Sequence, residues 1–240
     1  MARSRDGSSH FWQEIFSALT MLVPSLYLAY RFARVAAGVL PLRLRYMNWA
    51  TYLHCIASCM YHCQCALNST NKDFNHFRSP LRTADLAMIH VCLVTYTHAV
   101  SGEFWIFDLI ALALNFGSAS LFVYRQLYSK PGSKADSFRA VGGISLYLGA
   151  MLWRRDLWNF LGVFCSYAVG GIFYHKNDAL GKWGHGFFHL ALVPCTHYVL
   201  KSSVAALGDA CPALFWRKLW GQKRAAVFNS QRRNVCLTRL

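Results

Sequence analysis

Seven stretches of this chain are apolar enough to read as separate helices, with short polar segments between them. They run over about 11–30, 47–67, 83–100, 104–124, 140–153, 157–174 and 183–207. A helix rises about 1.5 Å per residue, so roughly 20 apolar residues cross the hydrocarbon core of a bilayer. Most of the stretches approach that length, and 140–153 is the short one. The pattern predicts an all-α, polytopic membrane protein built as a seven-transmembrane helix bundle. Pro24 inside the first stretch predicts a kink there.

The polar segments set the organisation. Residues 1–10 form a short polar tail, with no pattern of a cleavable leader ahead of the first stretch. A basic linker holds Arg31, Arg34, Arg43 and Arg45. A polar loop covers 68–82, with Pro80 near its end, and a turn-rich loop covers 129–134. The transmembrane domain is read as 11–207 and a basic C-terminal tail as 208–240. In that tail, Phe215-Trp216-Arg217-Lys218-Leu219-Trp220 mixes aromatics with cations, which suits a membrane interface as well as a solvated tail. There is no internal repeat.

Composition sharpens this. Of 240 residues, 55% are hydrophobic and only 15% charged, less charge than a soluble domain of this size carries. The net charge of +15 does not point to nucleic acid, because the cations lie between the apolar stretches and in the tail, where lipid headgroups would meet them. A multi-pass protein of an endomembrane (ER or Golgi) or of the plasma membrane is expected, its N-terminus outside or luminal. The nine cysteines lack zinc-finger spacing. Cys55, Cys59, Cys92, Cys165 and Cys195 are expected to pack as small hydrophobes. Cys63 and Cys65, near a helix end, are open to metal binding or pairing. Asn68-Ser69-Thr70 is a glycosylation sequon close to the end of the second stretch.

The chemistry sits at the starts and ends of three stretches. His185 and His189 are four residues apart and open the last one, so a helix stacks both rings on one face. Ser58 and His62 have the same spacing near the end of the second, and Asp85 opens the third. Alternating topology brings all five to one end of the bundle. Three histidines with an open position suit a catalytic zinc ion. A carboxylate beside them can take a proton from an attacking water, and a serine hydroxyl can donate to an oxyanion. The plainer reading is that membrane histidines bridge helices by hydrogen bonds. His54, His98 and His197 lie deeper, towards the opposite face. Two tiers of histidines would also suit two haems, each held by a histidine pair. That reading has no use for Ser58 or Asp85. His90 is expected to face away from Asp85, His76 to be a loop residue, and Asp108 to be structural or to line a cavity.

The order Ser58-x-x-x-His62, then Asp85, then His185-x-x-x-His189 resembles the CREST superfamily over about 47–200. That group includes alkaline ceramidases, progestin and adipoQ receptors, GPI-processing lipases and the myomaker family. Ser58-x-x-Tyr61-His62-Cys63 and His185-x-Phe187-x-His189 are most similar in their wording to the myomaker and GPI-processing branch. Asp85-Leu86-Ala87-Met88-Ile89 looks more like the ceramidase branch. The chain departs from the pattern in a longer stretch between His62 and Asp85 and in short later loops. The resemblance implies seven spans, zinc on His62, His185 and His189, and hydrolysis of a lipid amide or ester with Asp85 and Ser58 as acid and serine. It equally admits a receptor-like or membrane-remodelling protein that keeps zinc as a structural element.

Overall fold

The computed structural model describes residues 10–33, 40–71, 73–102, 104–128 and 134–207, with side chains from 138 onward in the last segment. The expectations for the N-terminal tail up to residue 9, for Arg34, for most of the 129–134 loop and for the 208–240 tail lie outside the described residues.

The described residues form seven α-helices: α1 (Phe11–Phe32), α2 (Leu42–Leu67), α3 (Pro80–Ser101), α4 (Trp105–Tyr128), α5 (Lys134–Trp153), α6 (Leu157–His175) and α7 (Gly184–Ala206). A single 3-10 turn, His76–Arg78, precedes α3, and no strand occurs among the described residues. α3 opens on Pro80, with the Ser79 hydroxyl accepting from the backbone N–H groups of Leu81 and Arg82. That arrangement satisfies donors that the first helical turn leaves over.

Two expected boundaries need correction. The basic linker is shorter than its charges implied, because Arg31 belongs to α1 and Arg43 and Arg45 belong to α2. α5 is longer than 140–153, starting at Lys134. Charged residues end an apolar run without ending a helix.

α1, α4 and α6 are long and apolar enough to cross a membrane. α3 is central and packs on α2, α4, α5 and α7, while α1 lies against α2 and α7, and α6 against α7. Large apolar side chains such as Trp12, Leu19, Phe116, Trp158 and Ile172 point outward. Ser17, Thr51, Ser58, His62, Asp85, Asn115 and His189 are buried. Apolar outside and polar inside is the arrangement a lipid solvent favours, and a soluble monomer rarely exposes so much apolar surface. Of the cysteines read as small hydrophobes, Cys55, Cys92 and Cys195 are buried and Cys59 half-buried. Cys165 corrects the expectation, since it is exposed on α6. Cys63 and Cys65 are free thiols.

Many buried hydroxyls satisfy themselves locally. Thr51, Thr97, Thr196 and Ser203 each donate to the carbonyl four residues earlier on their own helix. The apolar core of Leu28, Leu44, Met47, Tyr147, Met151, Val199, Leu200 and Val204 fills the middle of the bundle and reaches the end of α7. At that far end two arginines cap helix termini. Arg43 donates to the carbonyls of His98 and Gly102. Arg154 Nη1 donates to the carbonyls of Val100 at 2.8 Å and Ser202 at 3.1 Å. Cations at helix C-termini answer both the free carbonyls and the dipole.

Candidate metal centre

The opposite end of the bundle is built by close approach of α7 to its neighbours. Gly184 and Gly186 bracket His185 there. A β-carbon on Gly184 would lie 2.3 Å from the Phe173 carbonyl oxygen and 2.8 Å from Asn177 Cα. One on Gly186 would lie 2.3 Å from the Phe16 ring. Only glycine lets α7 start this near the end of α6 and the face of α1. The Asn177 side chain also accepts from the His185 backbone N–H at 3.0 Å, fixing the first turn.

That approach delivers two imidazoles to a third from α2. His62, His185 and His189 each offer a ligand atom, and these atoms lie within 4.8 Å of one another. His62 Nε2 and His185 Nε2 are 3.2 Å apart. A tetrahedral ion with metal–nitrogen distances near 2.0–2.1 Å separates its ligand nitrogens by about 3.3 Å. The His62–His185 separation therefore matches one edge of such a coordination sphere. His62 and His189 are buried, and Tyr174 covers His185 with ring centroids 5.5 Å apart.

The outward-facing nitrogens are engaged by α1. His62 Nδ1 donates to Glu14 Oε2 at 2.6 Å. His189 Nδ1 donates to the Ser17 carbonyl at 2.9 Å, with the Thr20 hydroxyl 3.5 Å away. A proton held on Nδ1 leaves Nε2 with its lone pair, which is the tautomer a metal ion needs, and a carboxylate partner raises the basicity of the ligand. The donor set is thus chemically suited to a metal ion, and its orientation is fixed from outside the cluster.

Asp85 lies beside this cluster. It is buried, and His54 Nε2 is 3.5 Å from its Oδ1. The Ser58 hydroxyl faces the same carboxylate, and the His62 ring is near enough to act on it electrostatically. Oδ1 nevertheless accepts no well-aligned hydrogen bond. A buried carboxylate oxygen left short of partners is costly, and in a native protein it asks for an explanation.

All five expected residues therefore gather at one end: three in the cluster, and Ser58 and Asp85 adjoining it. Sequence reasoning missed two more. Glu14 is an acid inside an apolar stretch, and the alternation that gathered the others places the start of α1 at this same end. His54 was grouped with His98 and His197 as a deeper tier, whereas its ring belongs to Asp85. His98 Nδ1 donates to Asp108 at 2.7 Å and His197 Nδ1 is 2.5 Å from the Tyr27 hydroxyl. His90 turns to α4, where its Nδ1 is 2.9 Å from Asn115 Oδ1. No known protein family matches the chain, and neither does any curated protein or solved structure.

Proposed function

We propose that the chain is a seven-span integral-membrane hydrolase that uses zinc on His62, His185 and His189 to cleave an amide or ester bond of a lipid. The observation that carries the reading is the cluster of three imidazoles, two with their outer nitrogens held by Glu14 and Ser17. Support for seven spans comes from helix lengths of 19 to 26 residues. α2, α3 and α7 are less apolar than α1, α4 and α6, and they carry the inward-facing polar groups, while α5 has a shorter apolar run over Phe138–Trp153. The likeness to the CREST superfamily agrees with this reading in fold, order of motifs and ligand set.

When bound, zinc supplies Lewis acidity toward a water or a carbonyl oxygen. The chain's own residues do the rest. Asp85 takes a proton from the water as its oxygen adds to the substrate carbonyl. The Ser58 hydroxyl donates to the oxyanion that forms. Asp85 then returns the proton to the leaving amine or alcohol as the C–N or C–O bond breaks. His54 holds the Asp85 carboxylate in place. The lipid enters sideways between helices, with its acyl chains remaining in the bilayer.

One observation favours a second reading. Through Glu14 and Ser17 the histidine cluster joins α1 to α2 and α7, as a structural metal in a receptor-like or remodelling protein would. Hydrolysis of a panel of ceramides, glycerophospholipids and glycolipids by purified wild type and Asp85→Asn separates them. The enzyme reading expects turnover that Asp85→Asn abolishes while zinc is retained. Turnover unaffected by that change overturns the role of Asp85, and none by the wild type supports the structural reading.

A further inference from the structure

Arg82 is a cation next to the site, on the same helix as Asp85, that the mechanism leaves without a task. It lies one turn before Asp85 on α3, three residues apart and so on the same face. Since α3 begins at this end, Arg82 stands about 4.5 Å farther out along the helix axis than Asp85. Its guanidinium carbon sits 4.6 Å from the centroid of the Phe77 ring, which holds the planar group from one side. Its Nη1 is buried and has no hydrogen-bond partner. Tyr61 and Cys65 are close enough to feel its charge. The Tyr61 ring is in turn 5.2 Å from that of His62. Arg82 thus lies at the histidine end of the bundle, near Tyr61.

Nearby carboxylates do not answer it. Glu14 is spent on His62, Asp85 faces His54, and neither forms an ion pair with Arg82 among the described residues. A divalent ion on the three histidines would be matched in charge by Glu14 and Asp85 together. The charge on Arg82 is then surplus. A guanidinium held flat, with a buried donor unused, is suited to the paired oxygens of a phosphate.

We infer that Arg82 binds the phosphate of a glycerophospholipid substrate, placing the ester carbonyl of that lipid deeper, at the level of Asp85. The inference rests on the hydrolase reading for its substrate and adds to it a headgroup class. Neutral lipids such as diacylglycerol or ceramide lack the group that Arg82 recognises.

The test uses full-length protein in detergent, with zinc content and melting temperature measured for every variant. Binding of dihexanoyl phosphatidylglycerol and of dihexanoylglycerol is followed by tryptophan fluorescence for wild type, Arg82→Gln and Arg82→Lys. Inorganic phosphate serves as competitor. Wild type is expected to prefer the phospholipid by about ten-fold or more, the scale of a charge-assisted pair. Arg82→Gln should lose that preference with its zinc and melting temperature intact, and Arg82→Lys should keep part of it. A preference that survives in Arg82→Gln overturns the inference. So does inorganic phosphate that binds as well as the phospholipid, because the site would then be one for a free anion. Binding and turnover are read separately. A zinc-loaded enzyme that hydrolyses lipids without headgroup preference removes the role of Arg82 and leaves the hydrolase standing. Arg82-dependent binding without turnover removes the hydrolase and keeps the phosphate site.

Discussion

Among the described residues the bundle holds two histidine–aspartate pairs, one at each end, and they differ in how completely they are satisfied. At the arginine end, Asp108 accepts from His98 Nδ1 on one oxygen and from the Ser101 hydroxyl on the other, each at 2.7 Å. Arg43 and Arg154 close the helix ends around it. Both Asp108 oxygens have a donor, and this network reads as a fastening of α3 to α4. At the histidine end, Asp85 keeps an oxygen without an aligned donor, and three ring nitrogens lie within 4.8 Å of one another. The same residue types make a closed network in one place and an open one in the other. Open valences held rigid inside a membrane protein point to a ligand.

The largest expected effect separates the two aspartates by chemistry. Asp85→Asn should reduce lipid hydrolysis by about 10²–10⁴-fold, the range for loss of a general base, with zinc retained. Asp108→Asn should leave the turnover per zinc-loaded molecule unchanged and lower the melting temperature. Steady-state hydrolysis and thermal melts on both variants check this.

A smaller effect concerns the outer support of the cluster. Glu14→Gln should weaken zinc affinity by about 10–100-fold, as loss of a carboxylate behind a ligand histidine does, with little change in helix content. Competition with a chromogenic chelator measures it. Gly186→Ala should cost about 1–3 kcal/mol through the clash with Phe16, and it should also loosen zinc by displacing α1. Thermal melts with and without added zinc distinguish the two contributions.

The smallest effect on the site lies at the opposite end. Arg154→Met should destabilise by about 1–3 kcal/mol, because the carbonyls of Val100 and Ser202 lose a buried donor. Zinc affinity should not change. A change comparable to that of Glu14→Gln would mean that the two ends are coupled, and the contrast between them would fail.

Much of this was legible in the sequence, for identifiable reasons. Seven apolar runs marked the seven helices, because apolar length is what a bilayer selects. Their ends were less legible: Arg43 and Arg45 look like a linker by hydropathy, yet Arg43 is helical and turned inward to cap α3. His62, His185 and His189 were readable because i, i+4 spacing and alternating topology both act on the backbone. Glu14 could have been found by the same alternation, as the one acid in its apolar stretch. His54 stands four residues before Ser58 on the same face, so its side was readable too, but spacing does not encode that the packing of α2 on α3 brings its ring to Asp85. Nor does the sequence reveal that Asp108 is satisfied and Asp85 is not.

The most direct test is elemental analysis of purified wild type and His185→Ala, with a visible spectrum taken on the same samples. The account predicts about one zinc per wild-type chain, its loss in the variant, and no Soret band in either. Wild type free of zinc after preparation without chelators, or a Soret band in its place, would contradict it.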